Sequence, residues 1–416
     1  MQSNPTPAPS GTGRAPVSFR EFVVMMAATM ALHAMSIDAM LPALPLIGRD
    51  FVVGDENRLQ WIVTVFVMGA GVGQLIYGPL SDRFGRRPVL FAGLISFIVL
   101  SLIASQAPSL EWLLVARAVQ GFAIAAAGIV TRSIVRDQYS GSTMARVMST
   151  IFIVFIIVPV LAPGLGQLLL LVVSWRGIFG FLGAAGAVVA LWVGMRLPET
   201  LRPELRRPLG AAHLLVAARF VLTEPTSILY TLGMTVMFGS LLAYVSTVPQ
   251  IFVGAFHAPQ LMAITFAICA GTMGVASFLN SRIVERVGVH RISHSALIGF
   301  VVVTGVHTAI AYLSTESLVT FAVLQSATMG CFGLAVANFG AIAMQPMGSI
   351  AGSAASLQGV ISTIGGATVA SIIGHQWSGS IVFLPAGAFC CGLAALACVL
   401  VAEKARLFRN RSDGHR

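Results

Sequence analysis

Charge is scarce in this chain of 416 residues: Asp, Glu, Lys and Arg together make up 10%, against about 25% in soluble globular proteins. Lysine is almost missing, Lys404 being the single one among 25 basic residues. So little charge excludes most soluble enzymes, whose surfaces need polar cover. The five cysteines, Cys269, Cys331, Cys390, Cys391 and Cys398, fall in apolar stretches of the second half with no paired spacing. That pattern excludes a secreted disulfide framework and a cysteine zinc site, and leaves buried small hydrophobes. No phosphate-binding G-x-x-x-x-G-K-[ST] loop is present, so ATP-driven work within the chain is excluded. No G-x-S-x-G nucleophile elbow is present either. The chain therefore does not read as an enzyme.

What is abundant is apolar sequence. Hydrophobic residues make up 56% and the mean hydropathy is +0.88. A membrane helix needs ~20 mostly apolar residues, and the apolar content suffices for twelve. The first run extends from Phe22 to Leu44. Others lie near 59–80, 88–106, 111–134, 144–167 and 176–196, then 226–250, 259–281, 292–313, 317–345, 351–374 and 381–402. Residues 1–18, rich in Pro, Ser, Thr and Gly, read as a disordered tail and not as a signal peptide. The sequence thus predicts an all-α membrane protein: a six-helix bundle over 19–196, a linker over 197–225, a second six-helix bundle over 226–402 and a tail over 403–416. Within the linker, 209–222 has the pattern of a helix lying along the membrane surface.

The basic residues orient these spans. With both termini inside, 21 of the 25 fall in inner segments and tails, only Arg49, Arg58 and Arg176 in outer loops, and Arg117 within a span. This asymmetry follows the positive-inside rule. It accounts for the net charge of +10 and leaves no basic stripe with interleaved aromatics for nucleic acid. The expected topology is multi-pass, with both ends cytoplasmic.

The two halves echo each other. "GPLSDRFGRR" (78–87) sits between the second and third spans, and "SRIVERVGVH" (281–290) between the eighth and ninth. Matching Gly85 to Gly288 also matches Arg83 to Arg286, Asp82 to Glu285 and Leu80 to Ile283. Such a duplicated six-plus-six plan belongs to transporters that bind substrate near mid-membrane.

Intramembrane charge is the sharpest chemical signal, because a charged group at the bilayer centre costs ~2.5–3.5 kcal/mol on insertion scales. Two residues qualify, Asp38 in the first span and Arg117 in the fourth, each ~9 Å below the outer end at 1.5 Å per residue. An acid and a base at one depth can share a polar cavity, as a proton-exchanging pair or as a static ion pair. His33, five residues from Asp38, lies on another face of the helix and reads as a packing or lipid-boundary histidine, as does His307. His290 and His294, spaced i, i+4, are too few for a metal site, and no metal is expected. In the first-half loop, Gly78 and Gly85 permit a tight turn, and Asp82 and Arg86 stand at salt-bridge spacing. Arg86 and Arg87 can also reach Asp137, a polar cluster able to lock one conformation. Gly69 and Gly73 form a close-packing motif, and Pro159 and Pro163 suit a bending helix.

These residues resemble the major facilitator superfamily. Gly78 through Arg87, with Arg83 at its centre, is similar to that superfamily's loop motif. Arg117-Ala118-Val119-Gln120-Gly121 resembles the fourth-helix "RxxQG" motif, and "PVLAPGLG" (159–166), with Pro159, Pro163 and Gly164, a fifth-helix antiporter motif. Asp38 within "SIDAMLPALP", "RDQY", "WRGIF" and "AGSAAS" resemble the Bcr/CflA drug-resistance branch. The resemblance implies a monomeric exporter of a small, apolar or neutral antibiotic-like compound, exchanging it for protons with no cofactor beyond the proton gradient. It implies roles for Asp38, Arg117 and Gln120 in coupling at a central cavity, and for Asp82, Arg86 and Asp137 in a cytoplasmic gate. Met30, Met35, Tyr244 and Asn338 are candidates for the substrate cavity. Two departures bear on stoichiometry: Met30 stands where some multidrug relatives carry a second acid, and Gln167 follows Gly166 where the motif has a glycine pair. A metabolite importer and a non-transporting receptor are the rival functions.

Overall fold

The computed structural model describes residues 17–206, 218–313 and 316–408. Its frame is twelve long helices: α1 Phe19–Asp38, α2 Trp61–Phe84, α3 Arg86–Ser105, α4 Leu110–Gln138, α5 Gly141–Leu169, α6 Trp175–Arg196, α7 Pro225–Gln250, α8 Met262–Val287, α9 Val289–Tyr312, α10 Leu318–Met344, α11 Ala351–Gly374 and α12 Phe383–Ala402. Among the described residues, eleven helical stretches are long and apolar enough to cross a membrane; α5 completes the set. Their starts are set by short polar side chains. Ser18, Ser109, Ser317 and Glu224 each accept from a backbone N–H in the first turn of the following helix, satisfying donors that lack an intrahelical partner. The outward faces are apolar, with Trp112, Val115, Leu161, Val188 and Val275 well exposed, as lipid-facing sides require.

Packing divides the helices into two sets of six with one plan. In the first bundle α2 packs on α4, α3 on α4 and α6, and α1 on α4, α5 and α6; adding six to each label gives the packing of the second bundle. The bundles meet along α2 with α11 and α5 with α8, pairs related by the same shift. The repeat extends to single dihedrals. Gly85 joins α2 to α3 at φ 102°, ψ 154°, and Gly288 joins α8 to α9 at φ 93°, ψ 145°. Glycine is required at both, since a side chain at such positive φ is strained.

With an even number of long helices among the described residues, α1 begins and α12 ends at one end, which also carries Arg83, Arg86, Arg136, Arg196 and Arg286. We call this the basic end. Hydrogen bonds tie the bundles together at the opposite end. Gln60 Nε2 donates to Gln250 Oε1 (2.8 Å) and to the Gly374 carbonyl (2.9 Å). Gln250 donates to the Glu56 carbonyl (2.9 Å), and Gln167 to the Pro259 carbonyl (3.0 Å). Nearer the middle, Gln74 donates to Thr363 Oγ1 (3.0 Å). Two of the opposite-end arginines are neutralised, Arg58 by Glu111 (2.7 Å) and Arg176 by Asp50 (2.5 Å).

Two local expectations change. The first span does not run as one α-helix to Leu44: α1 ends at Asp38, and the chain continues through a 3₁₀ turn at Leu41–Ala43 into a short helix, Leu44–Asp50. Pro42 and Pro45 remove backbone donors and disfavour helical geometry just before them. The surface helix expected over 209–222 lies largely outside the described residues; 218–223 is helical.

Candidate transport site

Close backbone approach builds the frame around Asp38 and Arg117. A Cβ at Gly121 would collide with the Phe66 carbonyl, one at Gly69 with the Ala118 carbonyl, and one at Gly73 with Ala125 and the Phe122 carbonyl. Only glycine lets α2 and α4 cross this tightly. Arg117 lies at this crossing, fully buried. Its guanidinium donates to Gln120 Oε1 (2.7 Å), the Ser36 carbonyl (3.0 Å) and the Ile62 carbonyl (3.3 Å), and sits over the Phe66 ring at 4.0 Å. Gln120 in turn donates to Ser101 Oγ (2.7 Å). This network joins α1, α2, α3 and α4.

Asp38 is buried at 5% exposure, at the broken end of α1. Among the described residues no hydrogen bond or ion pair reaches its carboxylate. The static ion pair with Arg117 is therefore not formed: Arg117 passes two residues short of Asp38, to the Ser36 carbonyl. Its three acceptors, two of them backbone carbonyls, give each guanidinium nitrogen a partner other than Asp38. On the other side of the break, a Cβ at Gly166 would collide with the Ala39 carbonyl. α5 runs through Pro159 and Pro163 as one helix and presses its glycine against the residue next to Asp38. Gly164 opens instead on a groove of about 640 Å³ at the opposite end, with Pro42, Pro45, Pro249 and Pro259.

At the basic end the loop cluster is assembled. Arg86 is buried; its Nε donates to Asp137 Oδ2 (2.9 Å) and its Nη1 to Asp82 Oδ1 (2.5 Å) and Ser81 Oγ (2.8 Å). Sequence reasoning missed Glu199. Its carboxylate accepts from the backbone N–H groups of Arg86 (2.9 Å) and Arg87 (3.3 Å) at the start of α3, and from Thr200 and Leu201. A carboxylate at a helix N-terminus is favoured by the dipole. Thr200 Oγ1 also donates to Asp137 (3.3 Å), so the segment after α6 clips onto the cluster. Arg87 donates to the Gly194 carbonyl (2.7 Å) at the end of α6. Arg83 lies by the Phe84 ring at 5.5 Å. Gly78 has nothing within 4 Å of where a Cβ would stand, so no close approach demands glycine there.

The twelve-helix, twofold-repeated frame and the loop cluster agree with what known proteins show. The profile of the Major Facilitator Superfamily matches residues 26–370. The chain belongs to this superfamily. It is 29% identical over 368 residues to a bicyclomycin resistance protein homolog of Haemophilus influenzae, covering 85% of this chain and 88% of that one. It is 30% identical over 267 residues to a chloramphenicol resistance protein of Pseudomonas aeruginosa, covering 64% and 61%. Among solved structures it is similar to a D-xylose–proton symporter, with a TM-score of 0.74 at 14% identity over 91% of this chain and 96% of that one; at that identity the likeness concerns the fold. The chain is a multi-pass membrane transporter and not an enzyme, and its similarity to bicyclomycin- and chloramphenicol-resistance proteins supports the resemblance of its motifs to the Bcr/CflA branch.

The remaining cavity candidates of this facilitator divide. Met30 is buried and lines a cavity with His33, Gln74, Ala125, Gly128, Ile129 and Arg132. The His33 ring also packs edge-on to Phe66 at 5.8 Å. Met35 is half-buried against the core. Tyr244 is 2% exposed and stacks on Phe266 (5.6 Å, 11°) between α7 and α8. Asn338 forms a reciprocal amide pair with Asn280 (2.8 and 3.3 Å) and donates to the Leu334 carbonyl (2.7 Å). It clamps α10 to α8. Polar type and mid-span position do not reveal that a second asparagine waits on the neighbouring helix. His290 and His294 serve the same kind of closure. His294 contacts the Tyr230 hydroxyl (2.9 Å) and accepts from the Phe408 N–H (3.0 Å), while His290 lies 3.7 Å from Glu403.

Proposed function

We propose that this facilitator exports a small drug-like compound across a bacterial inner membrane in exchange for protons, with both termini in the cytoplasm. One observation carries the reading: Asp38 is a buried carboxylate without a counter-ion among the described residues, and each nitrogen of Arg117 is bonded elsewhere. An unpaired carboxylate in a membrane span is costly and is a functional site by default. As the free acid it is neutral and suits the buried state; as the anion it needs water or a partner. Alternate opening to the two sides supplies and removes that water, which is what proton exchange requires. The turn after Asp38 is wedged against Gly166 of α5, so a change at the carboxylate is felt by a helix at the bundle interface. Arg117 and Gln120 hold the frame around it, and no cofactor beyond the proton gradient enters.

The bonds that close the opposite end, together with the cavity at Met30, His33 and Arg132, support entry of substrate from the basic end. The Arg86–Asp82–Asp137 cluster would then gate that end from within the first bundle. Export over import is favoured by the names of the resistance-protein relatives, and a single copy, with substrate, protons and lipid as its partners, suffices for the cycle.

The test uses chloramphenicol and bicyclomycin, the compounds those relatives are named for, in an efflux-deficient strain. Cells making the wild-type protein are expected to accumulate at least one of them less than control cells, and Asp38→Asn to abolish the difference while the protein remains in the membrane. Undiminished efflux by Asp38→Asn overturns the coupling role. Greater accumulation in wild-type cells overturns export.

A further inference from the structure

Arg132 has no place in the proton-exchange scheme, yet it is not a simple flanking arginine. It stands six residues before the end of α4, ~9 Å inside that helix at 1.5 Å per residue. Helical side chains tilt toward the helix N-terminus, which for α4 is the opposite end. Arg132 therefore leans toward the membrane middle. Its guanidinium lines a cavity of about 100 Å³ with Met30 and His33 of α1, Gln74 of α2, and Ala125, Gly128 and Ile129 of α4.

Three features make this a binding subsite. The α4 wall is one helical face, 125, 128, 129 and 132, spaced i, i+3, i+4, i+7. The small residues leave room beside the cation: a Cβ at Gly128 would meet nothing within 4 Å. No acidic residue lines the cavity, and Arg132 forms no hydrogen bond or ion pair among the described residues, in contrast to Arg86 and Arg117. His33 and Gln74 add polar side chains, and Met30 and Ile129 an apolar, adaptable floor. The volume is far below the 300–1,000 Å³ that encloses a whole drug-sized ligand, but it admits one substituent of such a ligand.

We propose that this cavity takes the anionic oxygen group of an aryl carboxylate, with Arg132 as its counter-ion and the ring against Met30 and Ile129. Organic anions then join neutral antibiotics among the compounds this facilitator handles. A planar guanidinium pairs with a carboxylate through two parallel hydrogen bonds, and Arg132 is itself exposed, so an incoming carboxylate can reach it. The proposal rests on the export reading only in placing the cavity on the substrate path.

The experiment is direct binding to the full chain in nanodiscs, with salicylate and its neutral analogue salicylamide as probes. Wild type is expected to bind salicylate at least tenfold more tightly. Arg132→Gln should bring the two within twofold while leaving the melting temperature unchanged, since the side chain has no protein partner to orphan. Arg132→Lys should restore part of the preference, and Gly128→Leu, filling open space, should weaken both probes. The proposal is overturned if wild type binds neither probe, if it binds both equally, or if Arg132→Gln keeps the preference. Binding requires no proton gradient, so loss of export in Asp38→Asn with the preference intact leaves this inference standing. Equal binding of the probes with drug efflux intact removes the inference and leaves the export reading.

Discussion

The two bundles share a frame and differ in what they bury. Around Gly85 the first places a buried arginine, Arg86, between two aspartates; around Gly288, at almost the same φ and ψ, the second places Val289 at the matching position and leaves Glu285 exposed. Among the described residues, both buried arginines, Arg86 and Arg117, belong to the first bundle. The second closes its interior with uncharged pairs, Asn280 with Asn338 and Gln358 with Ser227 (2.9 Å), and with histidine–acid pairs, His290 with Glu403 and His307 with Glu316. A repeat fixes where helices turn and cross without fixing what each copy does. Here one copy carries the uncompensated carboxylate and the network beside it, while the other offers a packed, largely neutral wall.

The comparison can be broken at several strengths. The largest effect is expected at the α2–α4 crossing. Gly121→Leu drives a side chain into the Phe66 backbone and should abolish folded protein, a cost above ~4 kcal/mol, as seen in size-exclusion profiles. Gly128→Leu on the same helix should fold. Next, Arg86→Ala strips two aspartates of their shared cation and should cost about 3–5 kcal/mol, whereas Val289→Ala, the matching change in the second bundle, should cost about 1 kcal/mol. Equal losses in thermal melts would dissolve the contrast. Smaller again, Asn338→Leu should cost about 1–2 kcal/mol by leaving Asn280 unpaired. The Asn280→Leu, Asn338→Leu double variant should recover part of this, with a non-additive cycle and efflux retained. The smallest shift, under ~1 kcal/mol, is expected for Glu403→Gln, because the Tyr230 hydroxyl (2.8 Å) still finds an oxygen to donate to.

Much of the frame was legible because membrane helices announce themselves by long apolar runs and glycine turns by irreplaceable backbone geometry. The alignment of Gly85 with Gly288, made on letters, reappears as two matching pairs of dihedrals. Asp38 and Arg117 stood out because buried charge in lipid is costly, and Gln120 through the resemblance of its motif. What stayed hidden depends on neighbours that sequence distance conceals. The pairing of Asn338 gave no sign in the sequence, because Asn280, its partner, lies 58 positions away. Glu199 looked like linker, since nothing in "LPET" reveals that it folds back 113 residues onto the start of α3. Arg132 was counted as a flanking charge because hydropathy blurs span ends; only the small-residue face of Ala125 and Gly128 beside it hints at a cavity. Pairing Asp38 with Arg117 by depth alone overlooked two backbone carbonyls that take the guanidinium first.

The central claim is that Asp38 is the group that exchanges the proton. It is tested most directly by proton release from the purified protein in weakly buffered detergent when an exported compound is added. Stoichiometric release is expected from wild type and none from Asp38→Asn, with both proteins binding the compound. Release of equal size from Asp38→Asn would contradict it.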